Sequence, residues 1–215
     1  MPSVPDNPKI FHITHIDNLL GILRDGVLWS DAQRIESGLD CEVVGMGTIK
    51  QRRLTLPVEC NPGTFVGEYV PFYFCERSIM LYILHMANHP EWTYRGGQRP
   101  IAHLMADLQP TTEWAEAEQR PWAFTDGNAS ARYSNFYDDL DDLDKINWEA
   151  VENRDFRDPV VHEGKQSEFL LHGSFPWHLV EKIGIIDRRR EQTVREAING
   201  AEHIPGVSVE RSWYY

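Results

Sequence analysis

The sequence predicts a single α+β domain, with short strands and short helices alternating around one sheet. Three observations predict it. Apolar and aromatic runs of strand length recur from one end of the chain to the other, and segments of helical spacing separate them. No Pro/Gly/Ser-rich linker, internal repeat or low-complexity tract divides the 215 residues. A chain of this length buries about 70% of its unfolded surface, enough for one core.

Taken in order, Ile10–Ile13 reads as a strand, and Ile16, Leu19, Leu20 and Leu23 are then spaced for a helix. Thr14, with Asp17 three residues on, is a capping pattern, and Asp25-Gly26 is a stop. Residues 34–62 show few periodic positions and read as a long functional loop with one helical turn in it, interrupted by the basic run Lys50-Gln51-Arg52-Arg53. Tyr69–Cys75 is a buried strand by its aromatic and β-branched content, and Ser78 opens an apolar helix through Ala87. Pro100–Met105 reads as a strand, Thr112–Gln119 as a helix and Trp122–Phe124 as a strand before the turn signal Asp126-Gly127-Asn128. Tyr137–Val151 has the apolar spacing of an acidic amphipathic surface helix. Ser167–Leu171, Ile183–Ile186 and Val207–Val209 complete the strands, with a helix over Glu191–Asn199 ended by Gly200.

Composition excludes several classes. With 41% hydrophobic and 25% charged residues the chain is neither collagenous nor disordered. No apolar run approaches the roughly 18 residues of a membrane span, and Met1–Asp6 lacks the basic and apolar regions of a secretory signal, so a cytosolic protein is expected. Cys41, Cys60 and Cys75 are odd in number and widely spaced, with no C-x-x-C pair. The net charge of -12 argues against a phosphate-rich partner, but its distribution matters more than its sum. Fifteen Asp/Glu against five Lys/Arg fall between Asp107 and Glu163, so the rest of the chain is close to neutral and can carry local basic patches.

The common chemical signatures are missing: there is no G-x-G-x-x-G, Walker A, G-x-S-x-G or H-E-x-x-H. His85 and His89 are four apart, but nothing signals an acidic companion or a third ligand, so no metal is expected and solvent-facing or capping roles fit better. Three features carry more. Phe11-His12-Ile13-Thr14-His15 delivers polar groups from a strand to a helix start, a place able to hold an anion or an amide as well as a plain capped corner. The Arg52-Arg53 pair can clamp phosphates bidentately, although loop charges are usually just solvated. Gln166-Ser167-Glu168 opens an apolar strand whose alternation puts Glu168 and Phe169 on opposite faces. Tyr73, Tyr133, Phe136 and Tyr137 are aromatics able to stack a ring or to fill the core.

Collinear blocks then give these features a family. The blocks are F-H-I-T-H-I-D-N-L-x-G-I-L at 11–23, R-R at 52–53, Y-V-P-F-Y-F-C-x-R-S-x-M-L-Y at 69–82, G-G-Q-x-P-I at 96–101, K-Q-S-E-F-L at 165–170, F-P-W at 175–177 and W-Y-Y at 213–215. In this order the chain resembles the DarT DNA ADP-ribosyltransferase toxins of bacterial toxin–antitoxin systems. The segments 34–49 and 106–163 are divergent.

The resemblance implies one ADP-ribosyltransferase-like domain over 1–215, with a central split β-sheet flanked by helices. It implies transfer of ADP-ribose from NAD+, as co-substrate, to a base of single-stranded DNA, usually thymine. Glu168 matches the catalytic glutamate and Arg53 the catalytic arginine; His12, Ile13, Thr14, Gly21, Trp29 and Arg53 fall on positions that line the NAD site, with Trp29 in place of a smaller apolar residue. Residues 34–55 correspond to a loop over NAD and 127–168 to the substrate-binding loop. A partner antitoxin with a macrodomain, of the DarG type, is implied as well. Lys50, Arg52, Arg132 and Lys165 are the cations expected to form a local groove for nucleic acid. Two readings compete: transfer to guanine, RNA or protein, which the 127–168 segment would decide, and a catalytically inactive binding module, against which the presence of both Arg53 and Glu168 counts.

Overall fold

The computed structural model describes residues 3–90, 92–131 and 133–215. Its centre is an eight-stranded sheet. The strands are β1 (Lys9–His15), β3 (Tyr69–Tyr73), β4 (Ile101–Asp107), β5 (Trp122–Asn128), β6 (Phe136–Tyr137), β7 (Ser167–His172), β9 (Lys182–Ile185) and β10 (Gly206–Val209), in the order β10-β9-β4-β1-β3-β7-β5-β6. A separate ribbon pairs β2 (Val27–Trp29) with β8 (Ser174–Pro176). Only the β9–β10 pair is parallel among the described ladders, and helix α8 (Arg188–Ile198) joins it.

The sheet is nearly split in its middle. β1 pairs along its length with β4, but meets β3 at the single register pair Phe11↔Tyr73. Pro71 fits this gap, since it has no N–H to give to a ladder. Its carbonyl, on the same side, takes the Nδ1 of His12 at 2.8 Å. Buried side chains of one face of the sheet, Ile10, Phe72, Phe124 and Phe169 among them, pack with Phe175 of β8 in the main core, and the alternate residues of the other face fall in two smaller clusters.

Several expectations need correction. The cap at the first corner is His15, whose ring accepts from the Asp17 N–H, while Thr14 stays in β1. Segment 34–62 holds the second half of one helix and all of another, α2 (Asp31–Glu36) and α3 (Gly47–Arg53), rather than one turn. Ser30 caps α2 through the Gln33 N–H, a signal that the sparse apolar spacing concealed. Asp126-Gly127-Asn128 stays inside β5 as a register irregularity, and the turn comes after it. The 137–151 stretch is a 3₁₀ segment, Leu140–Lys145, followed by the short α6 (Trp148–Glu152), with Leu143, Ile146 and Trp148 buried. Helix α4 (Ile79–Met86) runs as expected from Ser78, but ends at Ala87 with a positive φ of 50°. His89 therefore lies past the helix and shares no face with His85.

The remaining helices are α1 (Leu19–Asp25), α5 (Leu108–Ala117) and α7 (Pro159–Gly164). Gly26 ends α1 at φ 70°, where a side chain would be strained. Among the described residues, no helix is long and apolar enough to cross a membrane.

Candidate active site

The opening between β1 and β3 is the floor of a cavity of about 670 Å³, walled by α1, the 39–46 segment, α3 and the start of α4. At this floor His12, whose ring lies 5.5 Å from Phe72 of the core face, reaches the cavity through the opening itself, whereas Phe11 of β1 shares its face with the register partners Tyr73 of β3 and Glu168 of β7. Period-2 alternation explains the last of these, because Phe169 points into the core as Glu168 points into the cavity.

Glu168 meets Arg53 there. Arg53 Nη1 lies 3.2 and 3.0 Å from the two carboxylate oxygens, and Nη2 lies 3.0 Å from Oε2. The two side chains are 12% and 3% exposed, so the pair is shielded from water on most sides and its charges act at low screening. The Ala129 N–H donates to Glu168 Oε1 at 3.2 Å, and the Glu168 N–H donates to Thr125 Oγ1 at 3.1 Å. The carboxylate is thus held by a side-chain fork and one backbone N–H, and the backbone that carries it by the Thr125 hydroxyl.

Tyr73 lies against this pair. Burial and the Glu168 carboxylate push its phenol above the ordinary value, so it stays neutral and presents an uncharged aromatic face to the cavity. Burial lowers the His12 pKa, so the ring is neutral at pH 7 and donates from Nδ1 to Pro71. Its other nitrogen is then an acceptor.

Helix α3 ends at Arg53, with its cations in the last turn, where the helix dipole favours them. Two contacts seat it. Lys50 Nζ binds Asp31 Oδ1 at 2.6 Å, and Asp31 also faces Arg34 at 3.7 Å. Leu54 packs directly on Gly67, where a Cβ would come within 2.9 Å of the Leu54 Cα. The covering segment is further tied by Asn18, which exchanges hydrogen bonds with the Glu42 N–H and carbonyl at 2.8 and 3.0 Å.

His12, Ile13, Thr14, Gly21, Trp29 and Arg53 all line the cavity. Gly21 has nothing within 4 Å of a built Cβ, so it widens the space rather than relieving a backbone clash. Trp29 is 40% exposed and its indole N–H donates to Asp25 at 3.0 Å.

The expected basic groove is not assembled as a set. Lys165 is a correction: it is 3% exposed, and its ammonium turns inward to the Val151 carbonyl at 2.8 Å. Lys50 faces the cavity, paired with Asp31. Arg52 is exposed beside Arg53, and Arg132 lies outside the described residues. Asp31, Asn128, Ser130 and Gln166 line the cavity and were not singled out as site residues from sequence; only the Ser30 cap and the position of Gln166 ahead of Glu168 could have pointed to them. Among the described residues, no group of three or more His, Cys, Asp or Glu side chains could hold a metal ion.

A fork-bound carboxylate beside a neutral tyrosine, in a cleft where a sheet opens, can stabilise a developing sugar cation. Comparison with known proteins gives that chemistry a family. The family model described as ssDNA thymidine ADP-ribosyltransferase, DarT, matches residues 11–215, and the chain belongs to that family. A DNA ADP-ribosyl transferase of Thermus aquaticus is 39% identical, over 99% of this chain and 91% of its own. One from a Thermus species is 36% identical, over 99% of both. The solved Thermus sp. 2.9 DarT in complex with ADP-ribosylated ssDNA superposes with a TM-score of 0.90 at 34% identity, covering 100% of this chain and 99% of that one. The same protein in complex with NAD+ gives 0.83 at 34% identity, covering 99% and 100%.

Proposed function

We propose that this chain transfers ADP-ribose from NAD+ to a thymine of single-stranded DNA and releases nicotinamide. The observation that carries the reading is the Arg53–Glu168 fork at the floor of the cavity, with Tyr73 as the register partner of Glu168 and His12 at the opening between β1 and β3. His12, Ile13, Thr14, Gly21 and Trp29 form the NAD+ side, with residues 34–55 covering it and 127–168 forming the acceptor side.

In the step, the bond between nicotinamide and ribose C1′ breaks, and its electron pair neutralises the ring. Positive charge gathers on the ribose, and Glu168 faces it. Thymine N3 bonds C1′ with the pair freed by loss of its proton, which passes to the Glu168 carboxylate. Arg53 has a guanidinium pKa above about 12, so it acts as a fixed cation that orients Glu168 and steadies the anionic base, not as the proton acceptor.

Arg52, exposed on the same turn, meets the DNA backbone. Acidic residues between Asp107 and Glu163 repel the continuous phosphates of a duplex, while one strand can offer a single unstacked base. The chain acts as a cytoplasmic toxin, held in check by an antitoxin whose macrodomain removes the modification.

The test is a mass-shift assay with NAD+ at fixed salt. Its acceptors are a thymine-containing DNA strand, the same strand annealed to its complement, a thymine-free strand and an RNA. Modification of the free thymine strand alone is expected. Equal modification of the duplex, or of the thymine-free strand, would contradict the reading.

A further inference from the structure

After β5 the chain turns sharply, and nearly every polar group of the turn is bonded. The Ser130 N–H donates to Asn128 Oδ1 at 2.8 Å, the Ala131 N–H to the Asn128 carbonyl at 2.8 Å, and Ser134 Oγ to that same carbonyl at 2.7 Å. Asn128 Nδ2 donates to Gln166 Oε1 at 2.9 Å, and the Ala129 N–H holds Glu168. Ser130 itself is 6% exposed and lines the cavity. Its hydroxyl is the one buried side-chain hydroxyl among the described residues with neither a hydrogen-bond partner nor contact with solvent. Such a group costs folding free energy, and rigid ties on both sides prevent the backbone from relieving it.

Position says what the hydroxyl is for. Across the sheet, β1 carries His12, β7 carries Glu168, and Ser130 follows the end of β5, so Glu168 stands between the NAD+ side and Ser130. Asn128 and Gln166, the other polar residues at that edge, are bonded to each other. An acceptor base arriving at the ribose from the β5 side meets Ser130, whose hydroxyl has no partner in the protein.

We propose that Ser130 is a specificity-determining residue for the acceptor: its hydroxyl donates to an exocyclic carbonyl oxygen of the pyrimidine. Rotation about χ1 brings the oxygen from its buried position towards the cavity that Ser130 lines, and rotation about Cβ–Oγ aims the proton. When N3 gives up its proton and bonds C1′, negative charge is shared onto the flanking carbonyl oxygens, and a hydroxyl fixed there is worth most in the transition state. The same donor finds no carbonyl at the corresponding position of a base that carries an amino group there. This inference rests on the transfer reading given above.

The test compares the wild type with Ser130→Ala on a single-thymine oligonucleotide and on the same strand carrying 2-thiothymine or 4-thiothymine. With thymine, Ser130→Ala should lower kcat/KM for the oligonucleotide about 10- to 100-fold, leave KM for NAD+ unchanged, and leave the melting temperature unchanged or raised. Sulfur is a weak acceptor. The intrinsic effect of each thio substitution is common to both enzymes and cancels in their ratio. One of the two should therefore slow the wild type more than it slows Ser130→Ala.

Equal thio effects on both enzymes at both positions, or unchanged turnover in Ser130→Ala, would overturn the Ser130 assignment alone. A wild type that leaves every strand unmodified would overturn the transfer reading and this inference together.

Discussion

Glu168 and Arg53 make one ion pair from two unlike supports. Glu168 sits within β7, between β3 and β5, with its N–H on Thr125 and its carboxylate on the Ala129 N–H. Arg53 is the last residue of the seven-residue α3, which is held by Lys50 on Asp31 and by Leu54 against Gly67. A strand between two ladders moves only if the sheet deforms. A short helix resting on one ion pair and one close contact moves when either is changed. The carboxylate is the fixed reference of the site, and the guanidinium is the member that substitutions can detune.

The largest effect comes from removing the reference. Glu168→Gln should lower kcat on the order of 10³-fold while leaving KM for NAD+ within a few-fold, because the negative charge matters most when the ribose is cationic. Its melting temperature should also fall, by roughly ten degrees, because Arg53 is left with an uncompensated charge in a largely buried position. A variant that loses NAD+ binding and activity in parallel would make Glu168 a binding residue instead.

On the other support, Gly67→Ala leaves both charged residues in place but puts a methyl against the Leu54 backbone. A displacement of Arg53 by an ångström should lower kcat about 100-fold. Undiminished turnover would show that α3 is not seated by this contact.

Asp31→Asn cuts only the other tie. Partly exposed pairs contribute about 1 kcal/mol, so about a five-fold loss in kcat/KM for NAD+ is expected, shrinking at high salt as the wild-type pair is itself screened. A loss independent of salt would assign Asp31 another role.

The smallest effect on turnover belongs to a buried residue outside the cavity lining. His103 in β4, the register partner of Ile13, is fully buried, with Nε2 at 2.8 Å from the Glu76 carbonyl and the Trp213 and Tyr214 rings packed against it. Burial lowers its pKa from 6.5 to about 4. Between those values the unfolded chain binds a proton that the native state does not. Stability is therefore complete above pH 6.5 and falls by roughly 3 kcal/mol as pH drops towards 4. Denaturant melts of wild type and His103→Gln across this range should differ in slope; identical slopes would remove His103 as the titrating group.

The same contrast explains what the sequence made legible. Strand-borne residues announce themselves, because Ile10–Ile13, Tyr69–Cys75 and Ser167–Leu171 carry apolar runs long enough to read, and alternation then fixes where Glu168 points. Helix-borne residues of the covering segment do not. α2 and α3 bury little apolar surface of their own, so their spacing is not periodic, and their position depends on pairs such as Asp31–Lys50 that are 19 residues apart. Lys165 misled for a related reason: a lysine beside a site suggests a phosphate contact, but only the packing of α6 and α7 shows its ammonium turned to Val151. Ser130 carries no motif at all, and it stands out only once the hydrogen bonds around it are counted.

The most direct test of the whole account is a matched stoichiometry. Wild-type protein is mixed with NAD+ and an oligonucleotide containing one thymine, and free nicotinamide and the mass of the strand are read from the same samples over time. Each nicotinamide released should be matched by one ADP-ribose gained on the strand, and Glu168→Gln should abolish both together. Nicotinamide released with no gain in strand mass, or a Glu168→Gln variant that modifies the strand at the wild-type rate, would contradict it.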